Sequence, residues 1–115
     1  MRAGGRFLVA AMLVAACAIG CRGTDGRARE AVLRTNLRTM REAIAQYRAD
    51  KGRHPHRLEE LVAEGYLRTM PMNPVAKNNS SWREVVSVVH GRRQVVGVRS
   101  AVGGTASDGS RFEDW

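Results

Sequence analysis

Residues 27–50, RAREAVLRTNLRTMREAIAQYRAD, decide how this chain folds. Leu33, Leu37, Met40, Ile44 and Tyr47 recur at steps of four, three, four and three, which keeps them on one face of an α-helix. Arginines fill much of the opposite side. At 1.5 Å per residue the segment is roughly 36 Å long, more than a small domain covers completely, so one end is expected to project toward something else. Thr24 and Asp25 are suited to cap its start. Lys51-Gly52 supplies a basic last turn and a glycine for the left-handed stop, and Pro55 prevents continuation.

Working outward from the helix, a shorter one is predicted from Arg57 to Glu64. Leu58, Leu61 and Val62 share a face there, Glu59, Glu60 and Glu64 face water, and Gly65 ends it. Tyr66-Leu67 then folds back onto the long helix. Pro71 and Pro74 bracket an extended turn, and residues 76–81 form a polar loop. Trp82–Val89 and Gln94–Ser100 are valine-rich runs around His90-Gly91-Arg92-Arg93, which predicts a β-hairpin whose apolar face lies on the long helix. The fold class expected is therefore α+β: a long N-terminal amphipathic helix packed on a short helix and a small antiparallel β-sheet.

At 115 residues the chain has room for one domain. Its 43% hydrophobic content is partly concentrated before residue 22. Arg2 and Arg6 precede an uncharged apolar stretch from Phe7 to Ala18, followed by small residues up to Cys21, which is the layout of a secretory signal. The stretch is shorter than the ~18 apolar residues a spanning helix needs. Ala18-Ile19-Gly20-Cys21 resembles the lipobox of bacterial lipoproteins, with Ala18 where that motif usually has Leu. The resemblance implies cleavage between Gly20 and Cys21 and lipidation of Cys21; a plain secretory signal or an uncleaved anchor stays open beside it. Of the two cysteines, Cys17 would leave with the signal, and a lone Cys21 cannot form a disulfide within the domain. The expected organisation is a signal peptide over 1–20, a tether over 21–26 and a globular domain over 27–115. The corresponding location is the bacterial cell envelope, membrane-anchored and facing the periplasm or exterior.

The net charge of +8 comes almost entirely from arginine. Aromatic residues make up only 5%, which argues against a base-stacking platform for single-stranded nucleic acid. Phosphate loops, nucleophile elbows, paired-cysteine motifs and zinc-protease motifs are missing from the sequence. His54 and His56 flank Pro55 without a third metal ligand nearby. Glu59 and Glu60 diverge by about 100° on a helix and read as a solvated face. An enzyme is not expected.

The order Leu37 to Tyr47, Lys51-Gly52, Pro55, Leu58-Glu59-Glu60-Leu61, Gly65-Tyr66-Leu67, Pro71 and Asn73-Pro74 resembles the globular region of the major pseudopilins (protein G) of type II secretion systems. The resemblance runs from about Ala31 to the C-terminus. It implies a pilin-like fold and a structural or accessory role in a type II secretion or type IV pilus-related apparatus, exerted by protein contact. It also implies self-association and a calcium-binding loop near the chain end, for which Asp108 and Asp114 are the carboxylates available. Asp108-Gly109 also reads simply as a turn, and Trp115 as a lid on the core. The chain departs from the family in lacking the Gly-Phe leader and the glutamate-bearing hydrophobic stem that packs the filament. An alternative of another class is an envelope binding module in which Arg34, Arg38, Arg41 and Arg48 grip an anionic ligand, DNA or lipid headgroups, with nucleic acid the less favoured of these.

Overall fold

The computed structural model describes residues 25–115, in an α+β arrangement of one long helix and a two-stranded antiparallel sheet. The signal segment, the Gly20/Cys21 cleavage point and the Cys21 lipidation site lie outside the described residues. Helix α1 spans Asp25–Lys51, α2 spans Glu59–Ala63, β1 spans Trp82–Val89, β2 spans Arg92–Ser100, and a 3-10 turn covers Phe112–Asp114. No helix among the described residues is long and apolar enough to cross a membrane.

The seam side chains of α1 are all buried, Tyr47 and Leu33 completely. They form one cluster with Leu58 and Leu61 from the α2 region, Val95 and Val98 from β2, and Phe112 from the tail. The helix begins earlier than the tether assignment allowed, because it takes in Asp25 and Gly26. Nothing lies within 4 Å of where a Gly26 side chain would stand, so no packing opposes that extension at Gly26, and glycine costs a helix only about 1 kcal/mol. At the other end the stop is as the sequence suggested. Gly52 has φ +75° and donates its N–H to Arg48 O at 2.9 Å.

Helix α2 is shorter than the expected Arg57–Glu64 span. Leu58 is its N-cap, and the Leu58 N–H is taken by Glu84 Oε2 from β1 at 2.8 Å, a long-range partner that no local pattern announces. The segment before it lies along the edge of β2. Val95 donates to Pro55 O at 2.7 Å, and the His54 N–H donates to Gln94 Oε1 at 3.2 Å.

The hairpin turn is also tighter than the four residues expected. Only His90 and Gly91 separate the strands, with φ +52° and +75°. Two successive positive φ values make the type I′ connection that matches strand twist. Arg92 and Arg93 consequently pair with Val89 and Val88. Farther along, the register slips between Val85 and Val86: Gly97 faces Val85 and Val95 faces Val86, leaving Val96 as the extra residue of a bulge. That insertion lets Val95 and Val98 both turn inward, although an uninterrupted strand would send residues three apart to opposite faces.

Asn73 is a buried polar residue inside the loop that joins α2 to β1. Its Nδ2 donates to Ser81 O at 2.8 Å and Ser100 Oγ at 2.9 Å. Its Oδ1 accepts from Val75 N at 3.0 Å and Ala76 N at 3.3 Å. The loop is thus folded around this buried side-chain amide. Asn73→Ala is expected to cost about 1–3 kcal/mol in urea unfolding, because it strands donors and acceptors away from water. Asn73→Asp should cost at least as much, since its carboxylate would face the Ser81 carbonyl.

Glu60 links α2 to the core. Burial pushes its carboxyl up, but the His56 N–H, the Tyr47 hydroxyl and Arg53 outweigh this and hold it below the ordinary 4.5. A carboxylate favoured in the folded state contributes stability above its unfolded pKa and loses it as pH falls through the lower folded value. Stability should therefore decline as pH falls below about 5, and Glu60→Gln should flatten part of that slope in urea midpoints measured through the acid range.

Candidate functional site

The densest cluster of charged and aromatic contacts joins α1 to the C-terminal tail. Glu30, Arg34 and Arg41 are four and seven residues apart, so at 100° per residue they fall within about 40° of one another. They border the apolar seam on one side. Glu30 Oε1 accepts the Ser107 N–H at 2.5 Å, and Oε2 accepts the Ser107 hydroxyl at 2.8 Å. Arg34 lies 3.9 Å from the centre of the Trp115 ring and 3.7 Å from Asp108 Oδ2. Arg41 donates to Val98 O at 2.9 Å and also to Trp115 O.

The tail is braced from within as well. Trp115 Nε1 donates to Ser110 Oγ at 2.8 Å, and the Trp115 ring meets Phe112 edge-on at 5.1 Å between centroids. Phe112 N donates to Gly104 O at 3.0 Å, closing the intervening loop. Two readings of the tail were open from sequence, and these contacts describe Asp108-Gly109 as a turn and Trp115 as a half-buried ring over the helix.

Asp108 shows no sign of waiting for a cation. Its Oδ1 accepts from the Ser110 hydroxyl at 2.5 Å and the Ser110 N–H at 2.9 Å. Those bonds, with Arg34 adding to them, hold its carboxyl below the usual range. Asp114 is exposed on the 3-10 turn. Among the described residues no group of three or more His, Cys, Asp or Glu side chains is arranged to hold a metal. Calcium prefers six to eight oxygens, whereas here a guanidinium stands against the free oxygen of Asp108. The residues present do not fit a calcium site.

The four arginines of the anionic-ligand alternative do fall on one side of α1, beside the seam rather than opposite it. Arg34, Leu37, Arg38, Arg41 and Trp115 line one shallow hollow. Arg41, Ile44, Arg48, His54 and Val96 line the next. Burial, and then the Arg99 cation nearby, holds Arg41 below the ordinary guanidinium value. Among the described residues neither Arg38, Arg41 nor Arg48 forms a salt bridge.

The other titratable candidates hold structure. His54 Nδ1 lies 3.3 Å from Gln94 Oε1 and His56 Nδ1 lies 2.8 Å from Arg93 O, so both rings fasten the Pro55 segment to β2. Glu60 pairs with Arg53 at 3.7 Å while Glu59 is exposed. The Glu30–Ser107 and Arg34–Trp115 contacts span more than seventy positions of sequence, and only the placement of Glu30 and Arg34 one helical turn apart hints at them.

No protein-family model, curated protein or solved structure matches the chain.

Arg34→Ala is expected to lower stability by about 0.5–1 kcal/mol through loss of its contact with the Trp115 ring. Adding calcium or a chelator should leave the thermal midpoint of the unaltered chain unmoved. A midpoint that climbs with calcium concentration would show that the tail does hold the ion.

Proposed function

We propose that this chain is a pseudopilin-like structural or accessory subunit of a bacterial type II secretion or type IV pilus-related apparatus, held at a membrane through its N-terminal region and acting by protein contact. The observation that carries the reading is the ordered run from Leu37 to Pro74. Its apolar positions form the seam of α1, its Lys51-Gly52 forms the helix stop, and its Leu58 and Leu61 enter the same core. In this reading the long helix, the short helix and the hairpin make a pilin-like layer, and the N-terminal end of α1 is the end directed toward the membrane. Exposed Val32 near that end gives the helix an apolar point for contact with a neighbouring subunit.

A second reading is favoured by the arginine-lined hollows beside α1. Arg38, Arg41 and Arg48, joined by Arg99, would gather phosphate groups of duplex DNA or lipid headgroups along the helix. Such binding must weaken steeply as salt rises from about 50 to about 200 mM.

Two measurements separate the readings. A deletion strain should lose secretion of proteins exported through the apparatus, and a photo-crosslinker placed at Val32 in the full chain should capture an apparatus subunit. Normal secretion together with capture of no apparatus component overturns the first reading. Metabolic labelling with a palmitate analogue tests the anchor independently: Cys21→Ser should lose the label.

A further inference from the structure

We infer that β1 pairs edge to edge with β1 of a second copy of this chain, joining two hairpins into a four-stranded sheet. Among the described residues the sheet contains only β1 and β2. The outer edge of β2 is occupied, since Val95 donates to Pro55 O. Among the described residues no main-chain hydrogen bond reaches the outer edge of β1. A strand edge of this kind is a template for another strand unless charge, proline or a covering segment blocks it. Val85-Val86-Ser87-Val88-Val89 contains no charged residue and no proline. Val88 is 70% exposed, Val86 42% and Val89 39%, and Val96 across the hairpin adds 39%. Most of the large exposed hydrophobic side chains of the described domain are therefore on this hairpin.

Main-chain geometry supplies the donors and acceptors. A two-residue turn makes Val89 and Arg92 a hydrogen-bonded pair. Alternation back along β1 then aims the N–H and C=O of Val88 and Val86 away from β2, toward the open edge.

The charge pattern of β1 selects the occupant. Two copies meeting in parallel and in register would set Arg83 against Arg83 and Glu84 against Glu84, which is unfavourable. Two copies related by a two-fold axis normal to the sheet keep their inner faces on the same side, so even-numbered residues oppose even-numbered ones. With the axis at Val86, Glu84 falls against Val88 and Arg83 against Val89, burying charge on valine. With the axis at Ser87 every position finds a compatible partner. Val86 opposes Val88 with both main chains pointing at each other, Val85 opposes Val89, Ser87 opposes Ser87, and Glu84 opposes His90. The strand is complementary to itself in that register.

The register also provides the test. Ser87 residues at the axis form a non-hydrogen-bonded pair with Cα atoms about 4.5 Å apart, inside the range a disulfide spans. In the full-length chain carrying Cys17→Ser and Cys21→Ser, so that an introduced thiol stands alone, Ser87→Cys should give a disulfide-linked dimer under mild oxidation on a non-reducing gel. Arg92→Cys on β2 should give about tenfold less, and Val88→Lys added to Ser87→Cys should reduce the dimer about tenfold by charging the edge, with an unchanged circular dichroism spectrum. Because the chain is strongly positive, raising the salt should increase cross-linking by screening repulsion; an acidic peptide as the true occupant would compete best at low salt. The inference is overturned if Ser87→Cys and Arg92→Cys cross-link equally, if Val86→Cys cross-links better than Ser87→Cys, or if Val88→Lys keeps its fold without reducing the dimer. The outcome does not depend on the secretion reading, which is tested by secretion and by contacts at Val32.

Discussion

Leu33, Leu37, Met40, Ile44 and Tyr47 are each no more than 3% exposed, and each large apolar side chain so buried contributes about 1.5–3 kcal/mol before entropy is counted. Helix α2 and strand β2 pack directly on α1, which carries that seam, while β1 and the tail are held through β2 and the shared core. Helix α2 is too short to be stable alone, but Leu61 carries it into the same core cluster as Tyr47. A two-stranded hairpin is marginal in water, but Val95 and Val98 carry it into the same cluster. The tail has little regular structure beyond one 3-10 turn, and Phe112 gives it an apolar foothold there too.

Around the seam, arginine does much of the work of orientation. Arg41 binds two main-chain oxygens from different elements, and Arg93 donates both to His56 O and to Glu84. A guanidinium offers five donors in a fixed plane, so one side chain can fasten two segments that share no secondary structure. Glu84 is the counterpart among acceptors: one oxygen takes the Leu58 N–H at the start of α2 and the other takes Arg93. The high arginine content therefore has a structural use that net charge alone does not reveal. The exposed ion pairs add little to stability, whereas the bonds to otherwise unpaired carbonyls fix how loops are docked.

What could be read in the sequence was whatever rests on periodicity or on backbone constraint. The α1 seam follows from spacing, the Gly52 stop from the steric freedom of glycine, and the hairpin from two valine runs. Its turn is two residues shorter than the sequence suggests, because Arg92 and Arg93 look like loop residues until Val89 and Val88 are paired with them. Helix α2 starts later than local patterning indicates, because the N–H of its N-cap Leu58 is satisfied from β1. The bulge at Val96 was invisible for a similar reason, since an inserted residue shows itself only against the register of the opposite strand. At the candidate site, Asp108 reads from sequence as a calcium ligand or part of a turn and Trp115 as a lid on the core, while the contacts both residues make run to Arg34, far away in sequence. Local patterns specify elements; long-range partners specify where they end and what their polar groups do.

The bulge has a further consequence for how the hairpin divides its surface. On the side of it nearer Trp82, inward residues alternate in step with the core: Trp82, Glu84, Val98 and Ser100 face it. Beyond it the extra residue increases local twist, and β1 leaves the core with Val86, Val88 and Val89 all exposed, while Val95 remains buried on the opposite strand. One strand is anchored and the other is presented. If the distal half of β1 served only to reach the turn, polar side chains would do so at lower cost in exposed apolar surface, because nothing in the core requires valine there. A run of valines on the strand with the open edge is the arrangement expected of a surface that completes its pairing outside the domain.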